Sequence, residues 1–253
     1  MKTSIQWVDY FKKNLGVNRV DWTQSPVITE KEIRVILKSL QAWQLGETSD
    51  GNHLLNATRK YAEAIGDGYY VRAVELFIQE EQKHGRNLGR YLDLIHKPRI
   101  QKNWGDTIFR KIRYYNSSME WWTLAVIAVE SAAQIFYQSL KDATHCPLLQ
   151  QICTDILIDE RQHLRFQQER LSILFQTKTI AARNLAYRFY QFFFLMTSCV
   201  VWLAHRKLFR AGGNGFRKYM AKMKFKSEKT IGRLSAEMDE RRVSANLKNI
   251  FQN

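Results

Sequence analysis

Proline and cysteine are scarce in this chain, three of each among 253 residues. So few prolines leave long stretches without a helix breaker, and runs with the strict alternation of half-buried strands are rare, which argues against a sheet-based framework. Cys146, Cys153 and Cys199 have no Cys-x-x-Cys spacing and leave one over after any pairing, so neither a disulfide scaffold nor a cysteine-rich zinc module fits. The N-terminus lacks the apolar stretch of a cleavable leader. The one membrane-like run, residues 189–204, is 16 residues long and contains Gln191, Thr197 and Ser198, short of the roughly 20 apolar residues a spanning helix needs. A cytoplasmic protein is the expectation. Acidic residues thin out toward the end: residues 176–253 hold 16 Lys+Arg against four Asp+Glu, so this third carries +12 of the total +15.

What the chain does have is helical periodicity, with 45% hydrophobic residues and length enough for a sizeable core. One apolar stripe runs Val74, Phe77, Ile78, Glu81, His84, Leu88, Tyr91; another runs Ile152, Ile156, Glu160, His163, Gln167. Each contains Glu-x-x-His, Glu81 to His84 and Glu160 to His163, and positions i and i+3 share a helix face. Two more glutamates interrupt apolar stripes: Glu47 among Leu40, Trp43 and Leu54, and Glu130 among Trp122, Val126, Ala133 and Tyr137. Burying an unpaired carboxylate costs several kcal/mol, as an order of magnitude, so these groups call for a cation or close polar partners. Each run taken alone also fits a buried salt bridge or a solvated helix edge.

Chain geometry tests whether the groups meet. Glu47 and Glu81 are 34 positions apart, with their midpoint just before Gly66-Asp67-Gly68; Glu130 and Glu160 are 30 apart, with His145 and Pro147 at the turn. In an antiparallel hairpin, residues equidistant from the turn lie level, at about 1.5 Å of rise per residue. Each hairpin therefore sets its two glutamates side by side. The 49 positions from Glu81 to Glu130 suit a long crossover, and Glu81 and Glu130 each lie 13 residues beyond the expected helix starts at Gly68 and Ser117. Parallel helices would bring them to one height, and all six side chains would converge.

The set Glu47, Glu81-x-x-His84, Glu130, Glu160-x-x-His163 resembles the di-iron carboxylate signature of the ferritin-like superfamily, over roughly residues 30–176. The resemblance implies an all-α, ferritin-like four-helix bundle with a long crossover and additional C-terminal helices. It implies two Fe ions, with Mn or a mixed Mn/Fe pair also compatible, bridged by Glu81 and Glu160. Terminal ligands would be Glu47, His84, Glu130 and His163. It gives Glu80 and Asp159 a supporting role, each accepting the remaining ring N–H of the histidine in the opposite hairpin. The implied activity is that of an oxidoreductase or oxygenase using O2 or peroxide on an unidentified, hydrophobic small molecule admitted beside Phe77, Tyr137 and the fifth helix, with an electron-donor protein as partner. The chain departs from several relatives of that type: it has Leu88 where the radical tyrosine of ribonucleotide reductase small subunits is expected, and no rubredoxin-like cysteines. Iron oxidation and storage, peroxide scavenging, and a non-catalytic scaffold with a basic partner-binding tail stay open as other readings.

The expected organisation is an N-terminal aromatic arm over residues 1–28, a bundle over 29–176, and a fifth long helix with a basic tail over 177–253. Helices are expected at 29–65, 68–95, 117–144 and 147–175, with a short one near 104–114. Thr29 to Glu32 reads as a capping box, and Gly46 and Gly51 are expected to bend the first helix around Glu47. The fifth helix would cover the core or form a homodimer surface, with peripheral membrane contact through residues 189–229 as an alternative. Nucleic acid is not an expected partner: the basic tail carries no recognisable binding motif and reads as a solvated face.

Overall fold

The computed structural model describes residues 1–105, 107, 118–176 and 178–232. Among these, every regular element is helical: α1 (Ser4–Leu15), α2 (Glu30–Glu47), α3 (Asn52–Ile65), α4 (Gly68–Leu94), α5 (Met119–Asp142), α6 (Pro147–Gln176), α7 (Ile180–Ala211) and α8 (Phe216–Ser227), followed by a π-helical turn, Glu228–Gly232. The four rods of the bundle are α2 with α3, α4, α5 and α6. The α5–α6 hairpin packs most extensively, α4 meets both α2 and α6, and α7 lies across α2 and α5. The short helix expected at 104–114 falls almost entirely outside the described residues.

Local sequence explains the ends. Thr29 caps α2 by accepting from the Glu32 backbone N–H, while Glu32 accepts in return from Thr29, an arrangement worth about 1 kcal/mol. The long first helix expected over 29–65 is instead two helices, because the chain turns at Thr48–Gly51. Gly51 holds φ +68°, and a Cβ there would lie 2.5 Å from Ile78 Cδ1, so only glycine allows this turn to press against α4. The N-terminal arm is a formed helix, α1, opened by a Thr3–Gln6 capping box and packed on α4.

Along α4, Leu76, Phe77 and Ile78 join one apolar cluster, with Trp7, Phe11, Tyr70 and Phe166, while Leu88, Tyr91 and Leu92 join a second, larger one. Glu80, Glu81 and His84 lie between them, so the polar groups are enclosed by packed hydrophobic layers on both sides. The fifth helix, expected within residues 177–253, forms over Ile180–Ala211 and so contains the whole apolar run 189–204. Residues Ala181–Ala211 are long and apolar enough by composition to cross a membrane, and 44% of its most apolar window is buried. Tyr190, Phe194, Val201 and Trp202 face the core. Leu185, Phe189, Phe192, Met196 and Leu203 line the opposite face at helical spacing and are exposed.

Candidate metal centre

α4 brings Glu81 and His84 inward on one face, α6 brings Glu160 and His163, α2 ends on Glu47, and α5 carries Glu130 at its middle. All six sequence-expected residues come together. Ligand atoms of Glu47, Glu81, His84 and Glu160 lie within 4.8 Å of one another, as do those of Glu81, Glu130, Glu160 and His163. Glu81 and Glu160 belong to both sets. Five of the six side chains are buried and Glu81 is partly exposed.

The close approach of α2 to α4 that places Glu47 depends on Gly85. A Cβ at that position would lie 2.7 Å from Thr48 Cγ2 and 3.1 Å from the Glu47 carbonyl carbon, so any side chain would push the end of α2 away. Glu47 is then fixed by Tyr137, whose hydroxyl donates to Glu47 Oε1 at 2.5 Å in a buried setting.

The histidines are oriented from outside the cluster. His84 Nε2 lies 3.1 Å from Asp159 Oδ2, and His163 Nε2 lies 2.8 Å from Glu80 Oε2. These acids are fully buried and act across the bundle, each on the other hairpin's histidine. With a metal bound, the outer nitrogen would keep its proton on its acid and each Nδ1 would present a lone pair to the centre. His163 Nδ1 is 2.7 Å from Glu81 Oε1, yet neither atom makes an aligned hydrogen bond, and the same holds for His84 Nδ1 and both oxygens of Glu160. Buried lone pairs that converge without hydrogen-bond donors are rare in folded proteins and fit a divalent cation. The donor set, carboxylate and imidazole without sulfur, suits iron or manganese.

Electrostatics agree. Burial, then repulsion from Glu81, drives Glu47 well above the ordinary carboxylate range, and burial with the charge of Glu130 does the same to Glu160. Glu130 is raised more mildly, by burial. Burial alone would lower both histidines, but the Asp159 hydrogen bond and the charge of Glu81 reverse this for His84, and the charge of Glu81 and the Glu80 hydrogen bond do so for His163. Asp159 stays below its ordinary value: burial is outweighed by the His84 hydrogen bond and charge and by Asn14. The inner carboxylates thus repel one another and resist ionisation, whereas the outer acid is held charged.

The N-terminal arm supplies groups that sequence reading did not single out. Asn14 Nδ2 donates to Glu80 Oε1 and to Asp159 Oδ1, both at 2.8 Å. Arg19 donates to Asp155 Oδ1 at 2.6 Å, to Asp159 Oδ1 at 3.1 Å, and to Asn14 Oδ1. A signal existed for Asn14: it continues the Trp7, Phe11 face of α1 as a polar residue among apolar ones.

Beside the cluster is a cavity of about 200 Å³, lined by Trp43, Phe77, Ile78, Trp122 and Val126 together with Glu47, Glu81, Glu130 and Glu160. Phe77 stands in its wall as expected. The fifth helix contributes Val200, Val201, Ala204 and His205 rather than its aromatic residues. His205 sits at a kink in α7, accepts or donates to Ser39 Oγ at 3.1 Å, and burial lowers its pKa to about 4, so it is a neutral wall group.

The fold is that of a ferritin-like, R2-type helical bundle, and its interior holds a cluster of four carboxylates and two imidazoles. Among solved structures, the chain is similar to a tyrosine-to-phenylalanine variant of an R2-like ligand-binding oxidase with anaerobically reconstituted Mn/Fe cofactor, at TM-score 0.60 and 16% identity over 90% of this chain and 93% of that one. It is also similar to a valine-to-leucine variant of such an oxidase with aerobically reconstituted Mn/Fe cofactor, at TM-score 0.58 and 16% identity over 92% of each chain. No protein-family model matches the chain, and no curated protein sequence matches it. The architecture is shared over 90–92% of the chain while about five aligned residues in six differ.

Proposed function

We propose that this protein is a dinuclear-metal carboxylate oxidase that holds an iron pair or a manganese–iron pair among α2, α4, α5 and α6, and acts with O2 or peroxide on a small apolar substrate. The observation that carries this reading is the sharing of Glu81 and Glu160 by the two donor sets, which is the arrangement two bridging carboxylates require. Glu47 and His84 would complete one position, Glu130 and His163 the other. The Mn/Fe cofactors of the structurally similar oxidases support the choice of metals. When bound among these residues, the metal pair would supply redox chemistry toward O2 or peroxide.

The chain's own residues prepare that chemistry. Glu80 and Asp159 keep both histidines in the tautomer whose Nδ1 is free, and Asn14 and Arg19 hold those two acids in place. Tyr137 occupies one oxygen of Glu47 and leaves the other for a metal. The cavity wall of Trp43, Phe77, Ile78 and Trp122 offers an apolar surface beside the carboxylates, against which an apolar molecule would sit. A purely structural bundle gains nothing from four mutually repelling carboxylates in a dry interior.

The test is anaerobic loading with Fe(II), or with Mn(II) and Fe(II), followed by exposure to O2 in an oxygen electrode. Oxidase function requires two metals per chain and O2 uptake that scales with loaded protein. Metal uptake in a particle of very large mass, with no further turnover, would support storage instead.

A further inference from the structure

The basic C-terminal region does not simply face water. Lys218, Lys222 and Lys226 on α8 and Lys229 in the following turn are spaced four, four and three apart, so they share one helix face. That face forms a wall of a cleft of about 740 Å³ whose other wall comes from α5 and α6, where Arg161 adds a fifth cation. Among the described residues none of these five cations has an ion-pair partner; the pair that α8 makes, Lys224 with Glu228, lies outside the cleft. Lys226 is partly buried, with its ammonium against Gln134 Oε1, a neutral acceptor. Burial, then the nearby charge of Lys229, lowers its pKa to about 8.

Lys218, Lys229 and Arg161 are exposed and Lys222 and Lys226 partly buried; together they gather like charge around an open cleft, which raises the local concentration of anions. Gln134, Gln138 and Thr230 also line the cleft, engaged with Lys226 and the Glu160 carbonyl, with Asp142 and with the Lys226 carbonyl respectively, and Leu157, Leu164 and Phe225 add an apolar strip. A single carboxylate answers one of the five positive charges and offers two acceptor oxygens. A phosphate brings close to two negative charges and three strong acceptor oxygens, which lysines recognise as point charges.

We propose that this cleft is a binding site for a phosphate-bearing amphiphile, with phosphate on the lysine wall and the apolar portion along Leu157, Leu164 and Phe225. It backs onto the metal centre through Gln134, whose Nε2 donates to the Glu160 carbonyl at 3.1 Å, yet it uses none of the six inward donors, so it stands independently of the oxidase reading.

Calorimetric titration of the full chain with inorganic pyrophosphate at low ionic strength tests it. One saturable site per chain is expected, weakening as salt rises and losing tenfold or more in Lys222→Ala and in Lys218→Ala. Arg206→Ala, an exposed cation outside the cleft, should leave binding unchanged, and circular dichroism checks that each variant folds. Sedimentation with phosphatidic acid vesicles, whose headgroup is a phosphomonoester, against phosphatidylcholine vesicles, separates the sources. Lysine-dependent vesicle binding competed by pyrophosphate assigns the phosphate to a lipid headgroup, and pyrophosphate binding without vesicle binding assigns it to a free small molecule. Absence of saturable binding to either probe, or equal loss in the Arg206 variant, overturns the proposal.

Discussion

His163 and Glu80 meet across the bundle at 2.8 Å, ring nitrogen to carboxylate, with both side chains fully buried. The pair His84 and Asp159 repeats the relationship in the opposite direction at 3.1 Å, so each hairpin orients the other's imidazole. Glu80→Gln and Asp159→Asn keep the shape but weaken the acceptor, and metal affinity is expected to fall roughly 10- to 100-fold, the usual cost of losing such a supporting carboxylate. Competition against a metal chelator measures it. Unaltered affinity in both variants would separate these acids from the metal centre.

Tyr137→Phe removes one hydroxyl and the 2.5 Å hydrogen bond to Glu47. Hydrogen bonds to charged groups are worth about 1.5–3 kcal/mol, so binding at the position completed by Glu47 and His84 should weaken by about one to two powers of ten, with binding at the Glu130 and His163 position little changed. Site-resolved Mn(II) titration by electron paramagnetic resonance distinguishes the two.

Gly85→Ala and Gly212→Ala should separate stability from metal binding. Both glycines face crowded neighbours, Thr48 and Glu47 in the first case, the Ser139 backbone in the second, and overpacking of this kind costs about 1–3 kcal/mol. Thermal melting should record a loss in each. Only Gly85→Ala moves the end of α2 and should also lower metal affinity; equal metal binding in the two variants would remove Gly85 from the account of how Glu47 is placed.

Glu32 offers a pH signature away from the metal centre. Although partial burial acts against it, hydrogen bonds from Thr29 and from the His145 backbone N–H hold its pKa at about 2, below the ordinary 4.5. A carboxyl group depressed by folding stabilises the native state fully above its unfolded pKa, and that contribution disappears as pH falls through the folded value. The melting temperature of wild type should therefore exceed that of Glu32→Gln at pH 6, with the gap closing between about pH 4.5 and 2. A gap that persists at pH 2 would contradict this.

The hairpin arithmetic brought these side chains to one height because helices convert residue counts into heights, and Glu81, Glu130, Glu160 and the two histidines all lie well inside regular helices. It worked less well around Glu47. The helix ends there, and the turn through Gly51 depends on the contact with Ile78, a neighbour 27 positions away that periodicity does not reveal. The arm was legible as aromatic packing, but the joining of Asn14 and Arg19 to Glu80 and Asp159 is set by tertiary contact between α1 and the bundle. For the basic tail, charge spacing alone reads as a wet surface; the packing of α8 on α5 and α7, with α6 across the gap, sets one lysine face along a cleft.

The most direct measurement is the metal content of the purified full chain after anaerobic loading and removal of excess ion, by inductively coupled plasma mass spectrometry. The account requires two ions per chain, falling by at least one in His84→Ala and in Glu160→Ala while circular dichroism retains most helicity. Well under one ion per chain in the wild type, or full occupancy in both variants, would contradict it.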